Sequence, residues 1–113
     1  MLAAKYRFHS RGGVRYTYQH GKTIRHPKIS LVYNQNSKNK KRFAVVVSKK
    51  VLKSAVGRNR IRRRMYELIR AELPQMNKPM DCIFVVYSKE TQDMPFLELK
   101  ELVRGLLAES GII

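Results

Sequence analysis

Cysteine and long apolar runs are both scarce in this sequence. A single cysteine, Cys82, excludes an intrachain disulfide, and a zinc site would have to be built without cysteine pairs. No stretch approaches the roughly 18 consecutive apolar residues that span a bilayer. Residues 1–5 lack the apolar core of a secretory signal peptide. We therefore expect a cytoplasmic protein in which Cys82, set in an apolar run, is a small buried side chain.

Acidic residues are absent from the first 66 positions. The 113 residues include 24 Lys and Arg against 8 Asp and Glu, a formal net charge of +16. Nineteen of the basic residues precede Glu67, so the first 66 residues carry +19, and the remainder carries −3. Such a localised excess predicts a binding face for a polyanion. With 43% apolar residues the chain is not a disordered basic tail, and its length predicts one domain over residues 1–113.

Three segments have the pattern of β-strands. In residues 29–33, Ile29, Leu31 and Tyr33 alternate with Ser30 and Val32, as in a strand with one face buried. Residues 43–47 form a β-branched apolar run that predicts a central strand. The polar, basic connection over residues 34–40 predicts a hairpin between these two strands. A further strand is expected from Asp81 to Tyr87, after a segment bounded by two prolines.

Two helices are clear and a third is weak. Apolar residues recur every three or four positions between Ser54 or Val56 and Leu73, and again between Pro95 and Gly111. A short helix is expected from about Val14, after a glycine pair that disfavours helix. The predicted fold class is α/β, an α+β two-layer sandwich with a mixed central sheet. Its order is roughly α-β-β-(β)-α-β-α, with one strand optional.

Five arginines fall within the seven residues from Arg58 to Arg64. They repel one another unless phosphates lie between them, and the planar guanidinium group suits phosphate oxygens. A solvated helix face normally mixes both signs of charge, whereas Glu67 is the only acid up to Arg70. The cluster therefore predicts contact with RNA or DNA. Tyrosine and phenylalanine beside basic residues favour RNA slightly, although Phe8, Tyr16 and Tyr18 are equally explained as cover for the sheet.

Catalysis by the protein itself is poorly supported. A two-metal nuclease needs converging carboxylates, and the basic half has none. The three histidines, His9, His20 and His26, lack acidic neighbours in sequence, which favours surface or RNA-contacting roles over a metal or acid/base site. We expect no catalytic residue and no metal site on the protein alone.

The segment from Phe43 to Lys50, followed by Arg58-Asn59-Arg60 and further basic residues, resembles the protein component of bacterial ribonuclease P. The resemblance implies a left-handed β-α-β crossover that carries the arginine helix. It also implies that an RNA subunit holds the catalytic Mg²⁺ and cuts the 5′ leader from precursor tRNA, while the protein binds both RNAs. The implied role is accessory subunit of an endoribonuclease for tRNA 5′ maturation, with the catalytic RNA and precursor tRNA as partners, no membrane and no stable protein partner.

The same resemblance implies two sets of site residues. Those for the RNA subunit are Lys49, Lys50, Lys53, Arg58, Asn59, Arg60, Arg62, Arg63, Arg64 and Arg70, the last two compensating for basic residues that this chain does not have elsewhere. Those for the leader are Val14, Tyr18 and Tyr33, the last with a possible offset of one residue. The chain departs from the family pattern at Gly12-Gly13-Val14, at Tyr66 and at Tyr87, where an acidic pair with Phe, an arginine and a basic residue are expected.

Two other functions fit the same charge and size. A structural RNA-binding protein, such as a ribosomal protein, would bind RNA and stimulate no cleavage. A DNA-binding helix is disfavoured because no dimerisation surface is evident in the sequence.

Overall fold

Four strands form one mixed sheet, with helices on both faces. The computed structural model describes residues 2–8 and 11–113, with only the backbone of Arg11. The helices are α1 (Arg11–His20), α2 (Ala55–Glu72) and α3 (Phe96–Ser110). The strands are β1 (Lys22–Ile24), β2 (Ile29–Gln35), β3 (Lys41–Val47) and β4 (Met80–Val86). Short 3₁₀ turns cover Ala4–Tyr6, Leu73–Gln75 and Lys89–Gln92.

The sheet has the strand order β1-β2-β4-β3. Strand β4 pairs antiparallel with β2 and parallel with β3. The expected hairpin between β2 and β3 is therefore wrong, because β4 lies between them. The 36–40 connection instead closes over the start of β4, where Asn36 donates from Nδ2 to Asp81 Oδ1 at 3.0 Å and Met80 N donates to Lys40 O at 3.0 Å.

Strand β3 is an edge strand, so its expected central position is also wrong. Its apolar run arises because both of its faces are buried: Phe43 lies in the main core, and Ala44 lies in a smaller cluster on the other face. The N-terminal segment covers part of the open edge, since Phe8 N donates to Phe43 O at 2.8 Å. Burial on both faces produces the same sequence pattern as a central position.

The main core lies between the sheet and helices α2 and α3. It contains the apolar residues of α2 that the periodicity predicted, including Ile61, Met65 and Ile69, each 0% exposed. The N-cap of α2 is Ser54, whose Oγ accepts from Gly57 N at 3.1 Å. Helix α3 ends at Gly111, whose φ of 87° is the left-handed conformation that glycine adopts without strain. Both helices are confirmed within two residues at each end.

Helix α1 packs on the opposite face, against β2 and β4. It begins at Arg11 rather than near Val14, so the glycine pair lies in its first turn. The N–H groups of the first turn have no hydrogen-bond acceptor within the helix. A glycine pair therefore interrupts fewer intrahelical hydrogen bonds there than it would in the middle of the helix. A third strand before α2 is present, as the predicted order allowed, but it is β1, which precedes the two predicted strands instead of following them and is too short to show a period. The mixed α/β sandwich is confirmed, and the left-handed sense of the β3-α2-β4 crossover stays a prediction.

No helix among residues 2–8 and 11–113 is both long enough and apolar enough to cross a membrane.

Candidate nucleic-acid interface

Three lysines lie on the turn that leads from β3 into α2. Lys49, Lys50 and Lys53 are exposed, and within the described part of the chain their side chains make no ion pair or hydrogen bond. The turn itself is closed by backbone bonds from Val51 and Leu52 to Ser48 O, at 3.1 and 3.2 Å. These ammonium groups are therefore held close to the start of α2 and remain available to an anionic partner.

Arg58 joins that turn to the helix. Its Nη1 donates to Leu52 O at 2.9 Å and to Lys53 O at 2.7 Å, and the side chain is partly buried. A guanidinium group has five N–H donors, so these two bonds leave some of them for a phosphate. Arg58 thus positions the lysine-bearing turn whatever else it binds.

The outer face of α2 presents the groups that are freest to bind. Arg63 is exposed and has no partner within the described residues. One turn earlier, Asn59 Oδ1 accepts from Arg62 Nη1 at 2.6 Å, which orients the partly buried Arg62. Together with the three lysines, these side chains form a cationic surface that contains no carboxylate.

Arg60 and Arg64 point toward the segment before α3, here named the 89–94 segment (Lys89 to Met94). Arg60 Nε donates to Gln92 O at 3.1 Å, and its Nη2 lies 3.6 Å from Asp93 Oδ1. Arg64 donates to backbone carbonyls of the same segment, including Thr91 O at 2.8 Å. Sequence reasoning missed this contact, because the partners lie 27 or more residues further along the chain.

Arg70 lies nearer the C-terminal end of α2 than the other basic residues. It is seven residues from Arg63, which is about 10 Å along the helix axis at 1.5 Å per residue. Its Nη2 lies 3.1 Å from Glu67 Oε2. Tyr66 is partly buried and packs against the main core. The structure therefore brings the predicted residues of the first half of α2 together and separates Arg70 from them.

A second candidate surface lies between α1 and the sheet. Val14 packs against the smaller apolar cluster, which includes Val32 and Ile83. Tyr18 is 45% exposed, and Tyr87, at the end of β4, is 48% exposed. Burial raises the pKa of Tyr18, and electrostatic interaction with the nearby Tyr87 raises it further.

The strip of sheet beside these tyrosines is apolar and only partly covered. Val46 of β3 and Val85 of β4 are paired in register, and both are partly buried against the smaller cluster. Sequence reasoning missed these two valines, although the alternation of β3 and β4 places them on the face of Ala44 and Ile83. We name Val14, Tyr18, Val46, Val85 and Tyr87 the α1-side surface.

A scan against protein-family models matches residues 2–111 to the family described as Ribonuclease P. The chain belongs to the ribonuclease P protein family. It is 33% identical over 95 residues to the ribonuclease P protein component of Chloroflexus aurantiacus, a match that covers 84% of this chain and 70% of that protein. It is 31% identical over 109 residues to the component of Clostridium kluyveri, covering 95% and 96% of the two chains.

Solved structures of the family share the fold. The Staphylococcus aureus RNase P protein superposes with a TM-score of 0.83 at 21% identity, covering 95% of this chain and 96% of that one. The Thermotoga maritima RNase P protein gives a TM-score of 0.81 at 21% identity, with 91% and 96% covered. The predicted membership of the ribonuclease P protein family is confirmed, and a structural RNA-binding protein of another family is not favoured.

Tyr33, predicted from the sequence to contact the leader, lies on the opposite face of the sheet from α1. Tyr33 packs against the main core, on the face of Leu31, whereas Val32 faces α1. Because alternate residues of a strand point to opposite faces, an offset of one position moves the side chain across the sheet. Tyr33 instead lines an open cavity of about 370 Å³ near Lys22. Val14 and Tyr18 are together on the predicted face.

The remaining aromatic and histidine predictions have mixed outcomes. Phe8 is 6% exposed and covers the sheet, with the Arg42 guanidinium 4.4 Å from its ring centre. Tyr16 is exposed, and its ring centre lies 4.2 Å from that of His20. His26 is partly buried, and His9 lies outside the described residues. Among residues 2–8 and 11–113, no three His, Cys, Asp or Glu side chains converge as a metal site would require.

Proposed function

We propose that this chain is the protein subunit of a ribonucleoprotein ribonuclease P that acts in the cytoplasm on precursor tRNA. The RNA subunit performs the endonucleolytic removal of the 5′ leader. The protein binds that RNA through the basic turn and the first half of α2. The observation that carries the proposal is the cationic surface formed by Lys49, Lys50, Lys53, Asn59, Arg62 and Arg63, in a chain of the ribonuclease P protein family.

Phosphate contacts suit this surface for physical reasons. Its ammonium and guanidinium groups are exposed or partly buried, so they reach a polyanion without a large desolvation cost. Bonds between such cations and phosphate oxygens are charge-assisted, and each contributes roughly 1.5 to 3 kcal/mol. Their positions along one turn and one helix also match the repeated phosphates of a folded RNA better than a single small anion.

The 5′ leader is proposed to bind at the α1-side surface. Tyr18 and Tyr87 have the exposed rings on which unpaired bases stack, and Val46 and Val85 give an apolar floor beside them. The glycine pair at the start of α1 removes the side chains that the family pattern has there. Tyr87, in place of a basic residue, makes this site more aromatic and less charged than the family pattern.

Mg²⁺ is proposed to be held mainly by the RNA subunit and the substrate. The acid-free first 66 residues, which include the cationic surface, give this chain few metal ligands there. The side chains of this protein bind and orient RNA in our proposal, and the hydrolytic step takes place on the RNA subunit.

The decisive experiment is cleavage of a 5′-labelled precursor tRNA at low magnesium by a bacterial ribonuclease P RNA. The reaction is run with the RNA alone, with this protein alone and with both. We expect accelerated cleavage at the mature 5′ end only with both. Tight RNA binding without any stimulation would refute the proposed role and favour a structural RNA-binding protein.

Arg63→Gln combined with Lys50→Gln tests the cationic surface, since neither side chain has a structural bond within the described residues. The double variant should lower affinity for the RNA subunit by at least about tenfold. The slope of log affinity against log salt concentration should become shallower by about 0.7 to 0.9 for each phosphate that is no longer neutralised. Lys78→Gln with Lys22→Gln is the matched control, because it removes two exposed charges at the other end of the sheet. Equal reductions in affinity for both pairs would show a general charge effect and contradict the assigned surface.

A further inference from the structure

Arg64 has a different environment from the exposed arginines of α2. Its side chain is partly buried, and its Nη1 donates to Thr91 O at 2.8 Å and to Gln92 O at 3.1 Å. Its Nη2 donates to Met94 O. Three of the five N–H donors of the guanidinium group are thus already bonded to backbone carbonyls of the 89–94 segment. Few donors are left for a phosphate.

The carbonyl oxygen of Gln92 is shared by two arginines. It accepts from Arg64 Nη1 and, also at 3.1 Å, from Arg60 Nε. Arg60 lies one helical turn before Arg64, and its side chain is 54% exposed. Because Nε is the inner donor of the guanidinium group, this bond fixes the direction of the outer Nη groups. The position of the 89–94 segment therefore determines where Arg60 points.

The 89–94 segment is packed closely enough to serve as such a support. Thr91 is 0% exposed and Met94 is 5% exposed. The segment also lies against the first turn of α2, where a Cβ added at Gly57 would come 3.3 Å from Gln92 Nε2 and 2.6 Å from Leu52 Cδ2. Glycine at position 57 permits this approach. Arg64, about two helical turns further along α2, bonds the same segment.

We propose that Arg64 is a positioning residue for RNA binding. It holds the 89–94 segment so that the Gln92 carbonyl directs the Arg60 guanidinium toward a phosphate group of the RNA subunit. This inference rests on the proposed function of α2, and it removes Arg64 from the residues expected to contact RNA directly. The chemistry differs at the two positions: Arg64 bonds neutral carbonyls of its own chain, whereas the outer Nη2 of Arg60 lies 3.6 Å from the exposed Asp93 carboxylate, which an external phosphate can displace.

The test is a double-mutant cycle of Arg64→Lys and Arg60→Gln, measured as affinity for a bacterial ribonuclease P RNA at several salt concentrations. Lysine keeps the charge of Arg64 and does not have the planar fork that bonds three carbonyls. We expect Arg64→Lys to lower affinity by at least about threefold in the wild-type background and to have no further effect when Arg60 is already Gln. The double variant should have the salt dependence of Arg60→Gln alone.

Arg63→Lys is the matched control, since Arg63 is exposed and makes no bond to the segment. Arg63 contacts RNA independently of the segment in our proposal, so any effect of Arg63→Lys on affinity should be the same whether position 60 is Arg or Gln. Amide hydrogen exchange at Thr91, whose N–H donates to Ser88 O at 3.2 Å, should be faster in Arg64→Lys with or without RNA. Faster exchange at Thr91 without an equal increase at the buried amides of α2, such as Ile69, separates release of the segment from a general loss of stability.

Two results would overturn the inference in different ways. In the first, Arg60→Gln weakens RNA binding, and Arg64→Lys lowers RNA affinity by the same factor whether position 60 is Arg or Gln. Arg64 then acts independently of Arg60, and only the positioning role fails. If Arg60→Gln leaves RNA affinity unchanged, the proposed contact of Arg60 with RNA fails, and the positioning role fails with it.

Discussion

Asp93→Asn should strengthen binding to RNA. The Asp93 carboxylate is 82% exposed and lies 3.6 Å from Arg60 Nη2, so a phosphate that binds Arg60 must displace it. Two unit charges at that distance in water attract by about 1 kcal/mol, and exposed pairs contribute roughly 0.2 to 1 kcal/mol in practice. Replacing the carboxylate by an amide of the same shape therefore predicts a gain of about 1.4- to 5-fold in affinity for the RNA subunit.

The assay is equilibrium binding to a ribonuclease P RNA at about 0.1 M salt, where exposed charges are only partly screened. Glu109→Gln is the control, because it removes an equal charge from an exposed position near the end of α3. The gain for Asp93→Asn should exceed that of the control and should vanish when Arg60 is Gln. Equal gains for the two variants, or a decrease in affinity for Asp93→Asn, would refute competition between Asp93 and phosphate.

Three further predictions concern stability and titration. Asp81→Ala should lower the free energy of unfolding by about 2 to 4 kcal/mol in urea denaturation, because it leaves the partly buried Arg42, which bonds both carboxylate oxygens at 2.8 and 2.9 Å, without its partner. Gly105→Ala should raise it by about 0.5 to 1 kcal/mol, since a Cβ there meets no atom within 4 Å inside α3; no gain would contradict this. The raised pKa of Tyr18 favours its neutral form in the folded state, so stability should fall as pH rises above about 10. Tyr87→Phe should lower that pKa in an ultraviolet tyrosinate titration without restoring the ordinary value, because burial remains the larger cause.

Helices were more predictable from the sequence than strand partners. The period of Ile61, Met65 and Leu68 fixes which side of α2 is buried, since only one face of a helix can meet the sheet. An apolar strand carries no comparable information about its neighbour. Strands β2 and β3 would show the same apolar patterns whether they paired with each other or, as they do, with β4. The hairpin prediction failed for that reason.

The candidate site, like the fold, could be predicted only in part from the sequence. Charge alone located the cationic surface, because a run of arginines without acids needs an external anion. Charge could not distinguish Arg63, which is free in the described part of the chain, from Arg64, which bonds backbone carbonyls. Those carbonyls belong to a segment that reaches α2 only in the folded protein. Tyr33 shows how strongly a predicted strand site depends on register, because an offset of one position places the side chain on the opposite face of the sheet.

The position of β4 has a consequence for how the protein is made. The strand is the last of the four in sequence, and it lies between β2 and β3. While the ribosome is still adding residues up to Met80, the two earlier strands have no central strand to join them, and helix α2 has no complete sheet to pack on. The basic half of the chain therefore cannot fold as a unit ahead of the acidic half. The cationic surface is assembled only after synthesis has passed Val86, through contacts between distant parts of the chain that form slowly.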